Sequence, residues 1–184
     1  MHSLECARSK IRRIIAGSRV PEDPAHAENT VVWLLRLDPH ADQSLQLAAL
    51  AHDVERADEV TKVRRGDFVD YDAYKAAHAS HSAEIVRKIL EDCGASEVEM
   101  KEVCGPVRLH EVGGEPRSDV LKEADAISFF DTNLHMYHQR EGLSETVRRS
   151  AWGYRRLSVR GRDAVVGLAE CDPLLRRVLS QIPP

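Results

Sequence analysis

Hydrophobic residues recur three and four positions apart along most of the chain, which is the spacing of one face of an α-helix. No stretch alternates hydrophobic and polar residues as a half-buried strand does, so the pattern predicts no sheet of consequence. The predicted helices cover residues 4–17, 23–37, 44–56, 70–91, 96–110 and 118–131, with weaker segments at 133–139, 144–157, 160–170 and 173–180. We therefore expect an all-α protein, an irregular helical bundle rather than a simple four-helix array.

A few polar, proline and glycine positions predict where these helices begin and break. Asp23 and Pro24 have the order of an N-cap followed by a proline in the first turn. Asp70 is expected to cap the long fourth helix. Gly105 and Pro106 should break or kink the fifth helix, because proline lacks the amide hydrogen that the helix needs.

Length and composition are those of one ordinary globular domain. The chain has 184 residues, of which 42% are hydrophobic and 30% are charged, and this excludes collagen-like and wholly disordered proteins. The formal net charge is −4, which argues against a nucleic acid or an anionic membrane as the partner. The longest apolar run, residues 31–35, is far shorter than the roughly 18 residues of a membrane span, so we expect no membrane association.

The four cysteines favour a reducing compartment. Cys6, Cys93, Cys104 and Cys171 are widely spaced and include no Cys-x-x-Cys pair, so neither a zinc knuckle nor a disulfide framework is indicated. Charged residues interrupt the first 17 positions, which does not fit the apolar core of a signal peptide. We therefore expect a cytoplasmic protein.

Several side chains of the kinds that bind metals lie on faces that the pattern predicts to be buried. His52 and Asp53 follow directly on the most apolar helical segment, 45–51, and Asp125 lies in one stripe with Leu121. Burying a carboxylate beside an imidazole is costly unless a partner compensates, and a divalent cation is such a partner. Each residue alone could equally be a satisfied core histidine, an N-cap or an ion-pair partner, so the residues leave both explanations open. The full set is His26, His52, Asp53, His78, His110 and Asp125.

Four segments carry five of these residues in a recognisable context, and His26 precedes them in the chain. Residues 47–53 (LAALAHD) form an apolar helix that ends in a His-Asp pair, and residues 122–128 (KEADAIS) contain an Ala-Asp pair followed by hydrophobic residues. Residues 78–83 (HASHSA) place a histidine four residues before a small pair, and residues 109–114 (LHEVGG) place one before a glycine turn. In order and context they resemble the HD superfamily of metal-dependent phosphohydrolases, an all-helical fold named for its His-Asp pair.

The resemblance covers about residues 20–132, so we interpret the chain, 1–184, as a single HD domain with a helical extension at 133–184. It implies a first metal ion bound by His26, His52, Asp53 and Asp125. A second ion would be bound by His78 and His110, with Asp53 shared, although His81 lies on nearly the same helix face and is an alternative to His78. Nitrogen and oxygen donors without cysteine suit Mn, Fe, Co, Ni, Zn or, less well, Mg, with one or two ions bound.

The implied activity is hydrolysis of a phosphoester of a small molecule, a nucleotide being one candidate, by a metal-activated hydroxide. Asp53 would bridge the two ions. Glu55 would orient the attacking water or a ligand histidine, unless it is only an exposed charge at a helix end. Glu111 is a weaker candidate for the same role as Glu55.

Binding of a phosphorylated substrate requires cations. Lys75, one turn before His78, is the best candidate for a phosphate contact, and Lys62 and Arg65 of the neighbouring loop are further candidates. Side chains of this kind are more often simply solvated, and the same applies to the one basic cluster near the C-terminus. That cluster, which otherwise could reach a phosphate or a partner subunit, contains Arg148, Arg149, Arg155, Arg156, Arg160 and Arg162.

Two other functions use the same ligand set. A di-iron oxygenase would show the absorption band of an oxo-bridged iron pair. A non-catalytic regulatory domain with a structural metal would unfold on chelation and would turn over no phosphoester. The ligand set does not distinguish these functions from hydrolysis, and the sequence predicts no oligomeric state.

Overall fold

The computed structural model describes residues 2–182, which form nine α-helices and no β-strand. In chain order the helices are α1 (His2–Ile15), α2 (Asp23–Leu37), α3 (Gln43–Ala51), α4 (Tyr71–Asp92), α5 (Glu97–Leu109), α6 (Pro116–Ser128), α7 (Leu134–Arg155), α8 (Val159–Ala169) and α9 (Pro173–Leu179). Shorter 3-10 turns occupy Val54–Ala57 and Arg65–Asp67, and a π-helical turn occupies Phe129–Asn133. The prediction of an all-α fold is confirmed.

Helix α3 lies at the centre of the bundle and packs against α1, α2, α5 and α6. Its N-terminus is capped by Asp42, whose carboxylate accepts a hydrogen bond from the amide of Leu45 at 2.8 Å. The residues from Leu47 to Ala51 are at most 1% exposed. Because three of these five residues are alanine, neighbouring helices can approach α3 closely on all sides. The residues that directly follow Ala51 therefore lie in the interior of the protein.

The C-terminal helices share the same hydrophobic core. Leu134, Leu157, Val165 and Leu175 are at most 4% exposed and belong to one cluster with the side chains of α1–α6. Helix α7 is interrupted at Gly142, which has a φ of 80° that only glycine adopts readily, and the predicted segments 133–139 and 144–157 lie on either side of it. No helix within residues 2–182 is both long enough and apolar enough to cross a membrane.

Of the break or kink predicted at Gly105 and Pro106, the break is wrong, because α5 runs through both residues. The kink stays a prediction. Pro106 leaves the carbonyl of Glu102 without its helical partner, four residues earlier in the chain. The guanidinium of Arg117 donates to that carbonyl at 3.5 Å, which compensates part of the loss. A long-range contact of this kind is invisible in the local sequence.

The two predicted aspartate caps have different outcomes. Asp70 caps α4 as expected, and its carboxylate accepts hydrogen bonds from two amides of the first turn. Asp23 does not cap α2, since Glu22 precedes the helix and forms no side-chain cap. The buried carboxylate of Asp23 instead accepts a hydrogen bond from Ser18 at 2.6 Å and pairs with Arg56 at 3.0 Å. These partners outweigh the preference of Asp23 for an N-cap position.

The expectation of no disulfide is also wrong. Cys6 of α1 and Cys93, directly after α4, are joined by a disulfide across 87 residues of sequence. Their spacing gave no local signal, because only the packing of α1 against α4 brings them together. Cys104 and Cys171 are free.

Replacing both Cys6 and Cys93 by serine should lower the free energy of unfolding of the oxidised protein by about 2–4 kcal/mol, because the cross-link restricts the unfolded chain. Urea denaturation measures this difference. Cys171→Ser is the matched control, since Cys171 is exposed and free, and it should change stability by less than about 0.5 kcal/mol. Equal stability of the double variant and the unmodified protein would contradict the cross-link.

Candidate metal centre

The His-Asp pair lies where α3 stops. The helix ends at Ala51, and the chain then turns through His52 and Asp53 into the 3-10 turn that begins at Val54. The His52 side chain is completely buried, and that of Asp53 is 13% exposed. The apolar helix therefore places an imidazole and a carboxylate side by side in the interior.

Asp125 of α6 lies close to two of the histidines that were predicted as ligands. Its Oδ1 lies 3.1 Å from Nε2 of His26, in the first turn of α2, and 3.4 Å from Nε2 of His52. The imidazole rings of the two histidines meet edge to face, with their centroids 5.2 Å apart. The ligand atoms of these three buried residues lie within 4.8 Å of one another, so the group could hold a metal ion.

Asp53 lies close to the other two predicted histidines. Its Oδ1 lies 2.7 Å from Nε2 of His78 in α4 and 3.6 Å from Nε2 of His110, which ends α5. Together with Glu111, these residues form a second group whose ligand atoms lie within 4.8 Å of one another. The two groups adjoin, because Oδ1 of Asp53 is only 3.7 Å from Nε2 of His52. All six residues predicted as ligands therefore converge at one place.

Two of the histidines have a tautomer that the backbone fixes. Nδ1 of His52 donates to the carbonyl of Ala49 at 2.8 Å, and Nδ1 of His110 donates to the carbonyl of Val107 at 2.7 Å. Since a carbonyl only accepts, Nδ1 carries the hydrogen in each ring and Nε2 of the neutral ring keeps its lone pair. Both Nε2 atoms are buried and have no hydrogen-bond partner. Histidines held in this way are ready to bind a cation through Nε2.

The other two histidines are also anchored through Nδ1. In His26 this atom lies 3.0 Å from the Ser128 hydroxyl, which itself donates to the His26 carbonyl and so accepts from the ring. In His78 it lies 2.6 Å from Oε2 of Glu55, while Nε2 faces Asp53. A neutral His78 can donate to only one of these two carboxylates. The second contact needs either another proton or a metal ion.

The pKa values of two of the histidines also indicate that the cluster favours positive charge. Burial lowers the pKa of His110, but the carboxylates of Asp53 and Glu111 outweigh burial and raise that pKa to about 10. Burial also lowers the pKa of His52, and Asp53 and Asp125 again outweigh it, so the pKa rises above its usual value. The imidazole nitrogens that a metal ion would bind therefore hold protons more strongly than usual. The residues present fit a bound divalent cation.

The two aspartates are held in the ionised form. Burial raises the pKa of Asp53, but His52 and His78 outweigh burial and hold that pKa well below its usual range. His26 and His52 have the same effect on the pKa of Asp125. Both side chains therefore present negative oxygen atoms, which are suitable ligands for a divalent ion.

Glu55 and Glu111 both contact the cluster. Glu55 is 1% exposed and contacts His78 and the backbone amide of Val63, so the alternative of an exposed helix-end charge is wrong. Glu111, also buried, lies 3.4 Å from Nε2 of His110 and forms an ion pair with Lys75. Sequence reasoning placed Glu111 below Glu55, but the structure brings both carboxylates into contact with the cluster. The only signal for Glu111 was its place directly after a candidate ligand histidine.

The Glu111 carboxylate is shared by two cations. Lys75, predicted as a phosphate contact, is buried against it, and Nη1 of Arg156 lies 2.9 Å from its other oxygen. Burial raises the pKa of Glu111, but Lys75 and His110 outweigh burial and lower it. Lys75 is thus close to the cluster, with its charge engaged by Glu111 in this structure.

The carboxylate of Asp53 is contacted by an arginine that sequence reasoning did not single out. Arg56, three residues further along the chain, lies with Nη1 3.3 Å from Oδ2 of Asp53 and with Nη2 3.0 Å from Oδ1 of Asp23. Arg56 therefore fixes the oxygen of Asp53 that does not face His78. The contact with Asp53 spans only three residues, whereas the contact with Asp23 has no local signal, because Asp23 is brought in from α2.

The remaining predicted residues lie outside the cluster. Lys62 pairs with Glu59 at 2.7 Å, and Arg65 donates to the carbonyl of Phe68. His81, the alternative to His78, faces the loop and lies 3.1 Å from the hydroxyl of Thr61. It is therefore His78, and not His81, that the structure brings to the other candidate ligands.

Fold and site together define an all-α protein with a buried cluster of four histidines and acidic side chains. A family model described as a domain of unknown function (DUF4202) matches residues 7–178, and the chain belongs to this family. No curated protein and no solved structure matches the chain.

The thermal stability of the protein after EDTA treatment should fall as the pH rises. The folded pKa of His110 is about 10, above its ordinary value of 6.5, so the charged imidazole stabilises the fold fully below pH 6.5 and less as the pH approaches 10. The midpoint Tm should drop by about 2–4 °C for each kcal/mol lost, as calorimetry can measure.

His81→Ala, which alters a histidine outside the cluster, should keep this fall. Addition of a divalent metal should remove it, because the ion replaces the lost positive charge. A Tm that is independent of pH in the metal-free protein would show that the cluster needs no positive charge.

Proposed function

We propose that the protein is a metal-dependent phosphohydrolase, which cleaves a phosphoester of a small molecule at a centre for two divalent ions. One observation carries the proposal. Four buried histidines are anchored through Nδ1, and their Nε2 atoms converge on the two carboxylates of Asp53 and Asp125. Histidine and carboxylate sets of this kind hold the ions of many hydrolytic enzymes.

The two groups would each hold one ion. The first would be bound by His26, His52 and Asp125, and the second by His78, His110 and Glu111, with Asp53 shared between them. Divalent ions at such a centre act as Lewis acids that acidify water and neutralise the charge that develops on phosphoryl oxygens. Manganese, iron, cobalt, nickel and zinc suit these donors, and magnesium suits them less well.

The surrounding residues would hold these ligands in place. Glu55 accepts from Nδ1 of His78, and backbone carbonyls accept from His52 and His110, which orients the three rings. Arg56 holds one oxygen of Asp53. Ligands fixed in this way need little rearrangement when the ions bind, which favours both affinity and catalysis.

A substrate could approach through a cavity of about 610 Å³. Glu55, Arg56 and Lys75 line it, and each of them contacts a residue of the cluster. Positive side chains at this position would attract a phosphorylated molecule and stabilise its oxygens.

The sequence resemblance supports the same reaction. The segments that resemble the HD superfamily contain His52, Asp53, His78, His110 and Asp125, and these residues are the ones that meet in the interior. A chance likeness of scattered motifs would not require such convergence. We therefore propose membership of the HD superfamily together with its hydrolytic chemistry.

Metal analysis of the purified protein tests the centre itself. The unmodified chain should bind about two divalent ions, and His78→Ala should retain about one, because the second group loses a ligand. Elemental analysis by mass spectrometry after dialysis measures the stoichiometry. His81→Ala is the matched control on the same helix and should keep two. Equal stoichiometry in the two variants would remove His78 from the ligand set.

A panel of phosphoesters assayed with several divalent metals tests the activity. Asp53→Ala should lower kcat/KM by more than about 100-fold, because both ions lose a shared ligand. Glu55→Gln keeps an acceptor for His78 but removes the charge, and should lower kcat/KM by about 10- to 100-fold. Full activity of Asp53→Ala would contradict the mechanism. An oxo-bridged iron band without hydrolysis would favour the oxygenase, and chelation-induced unfolding without any turnover would favour a structural metal.

A further inference from the structure

The cavity beside the cluster has a charge opposite to that of the whole chain. Of its fifteen lining residues, seven are lysine or arginine and three are glutamate, whereas the chain as a whole has a formal net charge of −4. A cleft lined mainly by one sign of charge concentrates ligands of the opposite sign. The cavity is therefore suited to an anion with more than one negative charge.

Most of these cations already have an acidic partner. Arg148 pairs with Glu145, and Lys62 pairs with Glu59, each within one surface segment. Arg56 and Lys75 are engaged by the acidic residues of the cluster. Their charges are largely compensated inside the protein, so they do not by themselves explain the excess.

Three arginines of the lining lack such a partner among the described residues, and one of them, Arg65, donates instead to the carbonyl of Phe68. Within residues 2–182 no carboxylate forms an ion pair with Arg64, on the exposed loop, or with Arg149, on α7. They line the same cavity as Glu55 and Lys75, which contact the cluster. Free positive charge is thus available in the same cavity, supplied by residues that make no ion pair with the candidate ligands.

Arg149 is held in place by aromatic rings rather than by an acid. Its guanidinium carbon lies 4.5 Å from the ring centroid of Phe129 and 4.8 Å from that of Trp152. Stacking fixes the plane of the guanidinium while leaving its N–H groups free to donate. A planar fork of this kind matches the oxygens of a phosphate group.

We propose that Arg149 and Arg64 form a subsite for a second phosphate group of the substrate. The inference rests on the proposed function: one phosphate group would lie at the metal centre and another in the cavity. The substrate class is then a small molecule with at least two phosphate groups. A substrate with a single phosphate would leave both arginines without a partner.

Binding to the EDTA-dialysed protein tests the subsite without any contribution from metal or turnover. Isothermal titration calorimetry with inorganic tripolyphosphate, and with orthophosphate for comparison, measures the affinities. Tripolyphosphate should bind more tightly than orthophosphate. Arg149→Met and Arg64→Met should each weaken tripolyphosphate binding by about tenfold, which is the loss of one charge-assisted contact.

Arg162→Met is the matched control. Arg162 also lies over an aromatic ring, that of Tyr154 at 5.5 Å, but it does not line this cavity. This variant removes the same charge and should bind tripolyphosphate as the unmodified protein does. An equal loss in Arg162→Met would mean that only net charge matters, and unchanged binding in Arg149→Met and Arg64→Met would overturn the subsite.

This measurement separates the two proposals. Loss of tripolyphosphate binding in Arg149→Met and Arg64→Met supports the subsite even if no phosphoester is hydrolysed. Normal binding in both variants rejects the subsite even if the metal centre is active. Arg64 lies on an exposed loop, so its replacement leaves the core intact should Arg149→Met fold poorly.

Discussion

The central constraint on this structure is that electron-pair donors face one another in its interior. Nε2 of His52 and Nε2 of His110 are buried without a hydrogen-bond partner, and both lie within 4 Å of the Asp53 carboxylate. Such a contact is repulsive between a neutral imidazole and a carboxylate and becomes favourable only with a positive charge between them. Protons can supply that charge, as the raised pKa of His110 indicates. Divalent ions supply it without protonating the ligands, and this is the basis of the proposed function.

The packing of the helices brings the histidine and carboxylate side chains of the cluster together. The second half of helix α3, from Leu47 to Ala51, consists of buried leucine and alanine side chains, so the end of the helix lies deep in the protein, and the His-Asp pair follows there. Helices α2, α4, α5 and α6 each add one or more polar side chains from a different direction. Their second contacts, such as Glu55 on His78 and Ser128 on His26, orient the rings from outside the cluster. The packing of the helices in the core therefore also sets the positions of the side chains in the cluster.

The sequence predicted the fold class, and the side chains that it singled out as candidate ligands lie together in the interior, because both leave local signals. Helical periodicity recurs along most of the chain, and a polar side chain on an apolar face, such as Asp125, is conspicuous within a few residues. The features that it missed are long-range. The Cys6–Cys93 disulfide, the contact of Arg117 with the carbonyl freed by Pro106, and the ion pair of Asp23 with Arg56 all join different helices or turns. No spacing rule could have found them before the helices were packed.

The most direct test of the metal centre is anomalous X-ray diffraction from crystals grown with manganese, with data collected on both sides of the metal's absorption edge. We expect two interior peaks, one among His26, His52 and Asp125 and one beside His78 and His110, with Asp53 between them. No peak at these residues, or peaks on the protein surface alone, would contradict the claim that cations hold this cluster together.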